Sequence, residues 1–160
     1  MNLFDLTDRQ AVLVDILAWI ALGTLIGYLG HRLPVRWLAR DRGALRLRGF
    51  ESGGTWYERR LGIKRWKDRL PEAGAVFGGG VSKRRLSGHR PEDLLAFAAE
   101  TRRAEVVHWG LLLSVPLFAL WNPWPLFAVM AVYAMVANGP CLLVQRYNRA
   151  RVAAVLARVT

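Results

Sequence analysis

The segment "ETRRAEVVHW", residues 100–109, places two carboxylates and a histidine next to a long apolar run. Glu105 lies three residues and Glu100 eight residues before His108, so the three side chains project from one broad helix face. A carboxylate near an imidazole orients the ring and stabilises its cationic form, which is the arrangement that general base catalysis uses. The alternative is a structural ion cluster in which Glu100 pairs with Arg103.

A second polar group lies at the end of the last apolar run. It consists of Asn138, Gln145, Asn148 and Arg149. Intervals of seven and then three or four residues make one polar stripe on a helix. Amides at membrane depth are costly unless they face protein or a cavity. An antiparallel helical hairpin would bring this stripe beside Glu105 and His108.

Several common enzyme signatures are absent from the sequence. His89 and Asp93 have three residues between them, whereas soluble-fold glycerolipid acyltransferases have four. There is no Gly-x-Ser-x-Gly elbow and no His-Glu-x-x-His motif. The single Cys141 excludes an internal disulfide and a cysteine metal cluster. We therefore expect neither a covalent serine enzyme nor a metal enzyme, and no bound cofactor.

The apolar residues that must position these side chains gather into three blocks with almost no charge. Hydrophobic residues make up 53% of the chain although its formal net charge is +11. The blocks cover residues 11–30, 106–121 and 126–144, and a membrane-spanning helix needs roughly 20 apolar residues. The last two blocks, joined by "NPWP", predict a helical hairpin over residues 105–144 that spans or re-enters the bilayer. We predict an all-α membrane protein of one domain, with three transmembrane helices and basic interfacial helices.

Three details refine these helices. Proline and acidic residues at positions 91–93 predict a helix that continues unbroken into the second block. Gly139 and Pro140 predict a local break that would widen the gap for a ligand. Asp15 is the only charge in the first block, and its position near the edge of the block predicts that it snorkels, with a role in chemistry as the alternative.

Lysine and arginine are distributed unevenly along the chain. Of 23, 18 lie in residues 31–104 and four after residue 144. Positive loops stay in the cytoplasm, so we expect a multi-pass protein of the plasma membrane with residues 1–10 outside and residues 145–160 in the cytosol. Anionic headgroups explain the charge more simply than nucleic acid does. The expected partners are membrane lipids and a second copy of the chain, which would help enclose a lipid tail.

The basic insert, residues 31–104, shows no repeat and no sign of an independent globular domain. Trp37, Trp56 and Trp66 are interleaved with cations, as in segments that sit in the headgroup layer. Residues 61–71 have apolar side chains one helical turn apart and predict an interfacial helix. Residues 77–89, "FGGGVSKRRLSGH", do not place their glycines directly before a helix as a phosphate cradle requires, so we predict a flexible hinge.

Several of these stretches resemble the glycosyl-diaponeurosporenoate acyltransferases, a small membrane family linked to the last step of staphyloxanthin-type carotenoid synthesis. The resemblance is carried by "ETRRAEVVHW" (100–109), "YAMVANGPCLLVQRYNRAR" (133–151), "LGHRLP" (29–34) and "FESGGTWYERRLGIKRWKDRLP" (50–71). It implies an enzyme that esterifies a sugar hydroxyl with a fatty acyl chain. Residues 71–91 depart from the family pattern because they are glycine-rich and basic.

The residue pattern and the resemblance together imply roles for the motif residues. His108 would take the proton from the acceptor hydroxyl, and Glu105 would orient it. Asn138 and Gln145 would donate hydrogen bonds to the developing oxyanion. The lipid-linked acceptor and an anionic acyl donor such as acyl-CoA, the co-substrate, would be bound by Lys64, Trp66, Lys67, Glu100, Arg103, Arg146, Tyr147, Asn148 and Arg149.

Two other functions fit the same pattern. One is a non-enzymatic lipid-binding or scaffold subunit whose arginines hold anionic headgroups. The other is a lipid-modifying enzyme of another class, in which Glu105 and His108 transfer protons without an acyl donor. Consumption of acyl-CoA would separate the acyltransferase from both.

Overall fold

A computed structural model of the protein describes residues 6–70 and 90–159, and every regular element within these ranges is helical. The α-helices are α1 (Asp8–Arg32), α2 (Val35–Leu38), α3 (Thr55–Leu61), α4 (Pro91–Leu113) and α5 (Trp124–Val159). Short 3-10 helices lie in the insert at Gly43–Leu45, Gly49–Gly54, Ile63–Arg65 and Lys67–Arg69, and one follows α4 at Val115–Leu120. The predicted hinge at residues 77–89 lies outside the described residues.

Three helical stretches are long and apolar enough to cross a membrane. They are Asp8–Arg32, Pro91–Leu120 and Trp124–Arg158. Large apolar side chains on α1, such as Leu13, Leu17 and Ile20, are more than half exposed, as expected where lipid surrounds a helix. The prediction of an all-α membrane protein with three such helices is confirmed.

The helix α4 begins at Pro91 and continues into the second apolar block, as its acidic first turn predicts. It ends at Leu113, and the chain passes into a 3-10 helix that contains Pro116 in its first turn. The hairpin is therefore tightened near its turn, where a proline cannot donate the hydrogen bond that an α-helix requires.

The helices α1 and α4 approach each other through glycine. A Cβ atom on Gly30 would lie 2.3 Å from Val107 Cγ2, and one on Gly110 would lie 2.9 Å from Ile26 Cγ2. Small residues at such contacts allow backbones in lipid to pack closely, where burial of apolar surface supplies little driving force. α1 is thus fixed against the first helix of the hairpin.

The insert folds onto α5 instead of forming the interfacial helix predicted for residues 61–71. Gly62 adopts φ 54°, and the segment continues as two single 3-10 turns. Ile63 is fully buried with Tyr57, Val144 and Tyr147, because these side chains cover the α5 surface together. The prediction was wrong because a helical spacing of apolar residues also fits successive turns that pack against another helix.

The helix α5 extends well beyond the predicted end of the third block. It runs through Pro140 without interruption, so the predicted break is wrong. A proline removes one N–H donor from a helix, but the hydrogen bonds of the turns before and after it keep the helix continuous. The added turns are held by packing: Val152 is buried with Leu94, Phe97 and Ala98 at the start of α4.

Candidate active site

His108 on α4 and Asn138 on α5 face each other across the hairpin. His108 Nδ1 lies 2.9 Å from Asn138 Oδ1, and Asn138 Nδ2 donates to the carbonyl oxygen of Ala134 at 3.0 Å. Because the bond to Ala134 requires the amide nitrogen, Asn138 presents its oxygen to the ring, and Nδ1 of the neutral imidazole carries the proton. Nε2 then holds the lone pair, which is the nitrogen that can accept a proton.

Glu105 lies one turn before His108 and is fully buried. One carboxylate oxygen accepts a hydrogen bond from Arg146 Nη1 at 2.6 Å, and the other lies 2.7 Å from Arg149 Nη1 in an ion pair. The antiparallel hairpin therefore brings the two motifs together as predicted. The orienting contact to His108 Nδ1, however, comes from Asn138 rather than from Glu105, because two guanidinium groups occupy this carboxylate.

Arg146 also binds a carboxylate of the insert. Its Nε and Nη2 atoms donate to the two oxygens of Glu51 at 2.7 and 2.8 Å. The Tyr57 hydroxyl and the Arg48 N–H donate to the same carboxylate. Burial alone would raise the pKa of Glu51, but these hydrogen bonds outweigh it and lower the pKa to about 2, so Glu51 is ionised.

Arg149 connects the same cluster to the start of the insert. Its Nη2 donates to the carbonyl oxygen of Leu45 at 2.6 Å, and its Nε lies 3.3 Å from Asp41, which also accepts from Arg102 Nε at 2.6 Å. Three carboxylates and three guanidinium groups thus form the arginine–carboxylate network: Asp41, Glu51, Glu105, Arg102, Arg146 and Arg149. Its formal charges balance, which is what burial of so many ions requires.

Arg103 and Glu100 form a separate pair near the end of α1. Arg103 Nε lies 3.2 Å from Glu100, and Arg103 Nη1 donates to the carbonyl oxygens of Gly30, His31 and Leu33. Carbonyls at a helix C-terminus lack intrahelical donors, and a cation satisfies them. The position of Arg103 therefore explains how α4 holds the end of α1, whereas its predicted contact with the acyl donor stays a prediction.

Other predicted binding residues lie on the insert side of α5. Lys64 pairs with Glu58 at 2.8 Å, and the Tyr147 hydroxyl donates to the same carboxylate at 2.9 Å. The hydrogen bonds from Lys64 and Tyr147 hold the pKa of Glu58 below its usual range. Trp66 packs against the cluster around Tyr147, and Lys67 pairs with the adjacent acidic residue.

Gln145 is a predicted site residue with a buried polar atom that has no hydrogen-bond partner among the described residues. It is 2% exposed, and its Oε1 atom lacks a hydrogen-bond donor within residues 6–70 and 90–159. Gln145 follows Asn138 by seven residues and therefore shares its helix face, as does the half-buried Asn148 in the next turn. A buried amide without a partner costs free energy, which makes this face a place where a substrate can supply the missing bond.

The opposite end of the bundle holds a different polar cluster. Asp15 of α1 accepts hydrogen bonds from Trp121 Nε1 at 2.8 Å and Asn122 Nδ2 at 2.6 Å. Asp15 is 2% exposed, so the prediction that it snorkels is wrong: the hairpin turn covers it. Asp15 Oδ2 and Asn122 Oδ1 are buried without donors in the part of the chain that the structure describes. Within the same ranges, no group of His, Cys, Asp or Glu is arranged to hold a metal ion.

Comparison with known proteins gives a match that covers the insert and the hairpin. The family described as glycosyl-4,4'-diaponeurosporenoate acyltransferase matches residues 34–158. The chain belongs to this family. Relatives of that name from Staphylococcus aureus strains bovine RF122 / ET3-1 and USA300 are 28% identical over 140 residues, covering 86% of this chain and 83% of theirs. No solved structure gives a significant match.

Membership of the glycosyl-4,4'-diaponeurosporenoate acyltransferase family confirms the resemblance found in the sequence and makes the chain an acyltransferase. The matched region begins two residues after α1 ends and includes nearly all of α5. It therefore contains the His108–Asn138 pair and the complete arginine–carboxylate network. The family match and the polar contacts of the hairpin coincide in the same part of the molecule.

The sequence did not predict that the insert contributes residues to the site. Asp41 and Glu51 belong to the network, yet they lie 64 and 54 residues before Glu105 in the chain. A signal was present, because residues 31–70 contain only four acidic side chains among many cations. Three of the four, Asp41, Glu51 and Glu58, pair with arginines of α4 or α5 that are distant in sequence. A rare carboxylate in a strongly basic segment is therefore a candidate for a specific ion pair.

Proposed function

We propose that this acyltransferase transfers a fatty acyl group from acyl-CoA to a hydroxyl of a glycosylated carotenoid or a related glycolipid, at the cytosolic face of the plasma membrane. The observation that carries the proposal is the His108–Asn138 pair, held between two apolar helices at 2.9 Å. The relatives are named as acyltransferases of glycosyl-4,4'-diaponeurosporenoate, which supports a glycosylated carotenoid as the acceptor. The uneven distribution of lysine and arginine supports a cytosolic site.

His108 acts as the general base in this proposal. Nε2 takes the proton of the acceptor hydroxyl while the hydroxyl oxygen forms a bond to the thioester carbonyl carbon. The tetrahedral intermediate collapses with cleavage of the carbon–sulfur bond, and the imidazolium returns its proton to the departing thiolate. The products are the ester and free coenzyme A, so His108 ends the cycle neutral.

Asn138 and Gln145 have different parts in the reaction. Asn138 Oδ1 accepts the Nδ1 proton, which keeps the basic lone pair on Nε2 and stabilises the imidazolium as it forms. One N–H of the Asn138 amide donates to Ala134, and we assign the second N–H and the amide of Gln145 to the developing oxyanion. The Oε1 atom of Gln145, which lacks a donor, then accepts from a second substrate hydroxyl.

The arginine–carboxylate network positions the helices that carry these groups. Arg146 joins Glu105 of α4 to Glu51 of the insert, and Arg149 joins Glu105 to Asp41. Arg146 and Arg149 each pair with two carboxylates, and Arg102 pairs with Asp41. The network arginines therefore hold α4, α5 and the insert in register, and the anionic donor is bound mainly by cations outside the network.

The proposal is tested by mass spectrometry of total lipids from cells that express the protein and receive a glycosylated carotenoid. Wild type should yield a product heavier by one acyl group, and His108→Ala should yield none while the protein still accumulates in the membrane. His31→Ala is the matched control, since the His31 side chain is exposed at the end of α1 and should leave the product unchanged. Equal product from His108→Ala would overturn the role of His108. No acylated lipid from wild type would overturn the acceptor.

A further inference from the structure

A second candidate site lies on α3, outside the membrane-spanning helices. A cavity of about 520 Å³ is lined by Phe50, Thr55, Trp56, Arg59 and Arg60. Its lining contains two aromatic rings and two guanidinium groups but no carboxylate. Binding sites for small organic ligands fall in the range of about 300–1,000 Å³, so this α3 groove is larger than a single phosphate needs.

The two arginines of the α3 groove differ from those of the network. Arg59 and Arg60 are exposed and form no ion pair or side-chain hydrogen bond within residues 6–70 and 90–159. Their neighbour Glu58 points elsewhere, toward Lys64, Arg151 and Tyr147. The groove therefore offers two cations with unused donors, which suit a multiply charged phosphate.

The aromatic rings add a second recognition element. Phe50 and Trp56 meet edge to face at 5.2 Å between ring centroids, yet they are 59% and 36% exposed. Trp56, Arg59 and Arg60 follow at three- and four-residue spacing, so ring and cations share one face of α3. An exposed aromatic platform beside guanidinium groups is the combination that stacks a base and neutralises its phosphates.

The opposite face of α3 is fixed to α5. Tyr57 is buried and donates to Glu51, and Gly54 adopts φ 77° where a Cβ atom would lie 2.9 Å from the Tyr147 ring. Tyr147 and Asn138 are nine residues apart on α5, which is about 14 Å along the helix axis. A flexible arm between a bound nucleotide and the reacting carbonyl can cover that axial separation.

We infer that the α3 groove binds the adenosine phosphate portion of coenzyme A, which rests on the proposed use of acyl-CoA as the donor. Arg59 and Arg60 contact the phosphates, and the Phe50–Trp56 platform stacks against the adenine. The pantetheine arm then leads along α5 to His108, and the acyl chain lies in the lipid. An anionic headgroup would share the phosphate chemistry but would leave the aromatic platform without a base.

Binding of adenosine 3',5'-bisphosphate to the purified full-length protein tests this site without depending on catalysis. Titration calorimetry should show saturable binding to wild type, weakened at least about tenfold in the Arg59→Gln/Arg60→Gln double variant. The control is Arg65→Gln/Arg69→Gln, which removes the same charge from exposed positions outside the groove and should bind like wild type. Absent binding to wild type, or equal weakening in both double variants, would overturn the inference.

Two further measurements separate the possible sources of phosphate and the two proposals. The groove variant should raise KM for acyl-CoA about tenfold without raising KM for acyl-pantetheine, which lacks the nucleotide. If the Arg59→Gln/Arg60→Gln variant no longer bound phosphatidylglycerol vesicles but bound the nucleotide as wild type does, the groove would be a lipid-headgroup site. That result would overturn the inference. Nucleotide binding without any acyl transfer by wild type would support the groove and contradict the proposed reaction.

Discussion

Buried carboxylates occur at both ends of the hairpin, but they are neutralised in different ways. At the insert end, Glu105 is fully buried against Arg146 and Arg149. At the turn end, Asp15 is buried against the neutral donors of Trp121 and Asn122. One carboxylate is part of a charge-balanced network and the other has no cation among the described residues.

This difference shows what each end of the molecule does. A network of matched ions ties three chain segments together only while every partner is present, because one removed partner leaves another charge buried. Neutral donors such as those around Asp15 need only an acceptor of the right shape, which need not be charged. We therefore expect the amide isosteres of the two acids to behave in opposite ways.

The largest effect is expected for Glu105→Gln. The amide cannot neutralise Arg146 and Arg149, so the free energy of unfolding should fall by about 3–5 kcal/mol. Denaturation of the purified protein in detergent measures the change. The control is Glu100→Gln, whose carboxylate is 26% exposed and lies 3.2 Å from Arg103; its loss should stay below about 1 kcal/mol. Equal stability of the two variants would contradict a network centred on Glu105.

The next effect is an acid-dependent loss of stability from Glu51. Its pKa of about 2 lies below the ordinary 4.5, so ionised Glu51 stabilises the fold above pH 4.5, and this contribution is lost as the pH falls toward 2. The contribution is roughly 3 kcal/mol at neutral pH. Melting curves between pH 7 and pH 3 should show Glu51→Gln well below wild type at pH 7 and closer to it at pH 3. Parallel curves would show that Glu51 is not held ionised.

A smaller effect is expected where the insert docks on α5. Gly54→Ala introduces a Cβ atom 2.9 Å from Tyr147 at φ 77°, and should lower the free energy of unfolding by about 2 kcal/mol. Gly43→Ala is the matched control, since Gly43 also has a positive φ but open space around its Cβ position; about 1 kcal/mol of strain is expected there. Equal losses from the two variants would mean that the approach of Gly54 to Tyr147 is not tight.

The smallest effect is expected for Asp15→Asn. The amide oxygen still accepts from Trp121 and Asn122, and the substitution removes a charge that no cation within residues 6–70 and 90–159 balances, so stability should stay the same or rise slightly. Asp15→Ala should cost about 1–3 kcal/mol, because both donors then lose their acceptor. Thermal unfolding of both variants decides the point, and a large loss for Asp15→Asn would reveal a cation bound by Asp15.

The membrane helices were predictable from sequence because lipid imposes a strong requirement for long apolar runs. Residues 11–30 and the hairpin were located by this requirement alone, and Pro91 with its two acids marked the start of α4. The end of α5 was not predictable from the sequence, because Tyr147, Ala150 and Val152 are buried by the insert and by α4 rather than by lipid. A helix stabilised by packing shows no boundary in hydropathy.

The site was predictable where helix spacing decides the contact. Antiparallel pairing of α4 and α5 placed Glu105 and His108 beside the polar stripe, and the structure has these contacts, from His108 to Asn138 and from Glu105 to Arg149. The predicted partners were wrong in one respect. Asn138, not Glu105, contacts His108, and Glu105 instead pairs with Arg146 and Arg149. Spacing along one helix cannot show which of several nearby groups on another helix forms the bond. It also cannot predict that Asp41 and Glu51 of the insert contact the hairpin.

Chemical rescue of His108→Gly tests the central claim most directly. Removing a general base should slow acyl transfer by the purified enzyme about 10²–10⁴-fold, and added imidazole should restore part of the rate by occupying the vacated space next to Asn138. A normal rate without imidazole would contradict His108 as the base. A deep loss that imidazole does not relieve, in a variant that unfolds like wild type, would contradict proton transfer as its role.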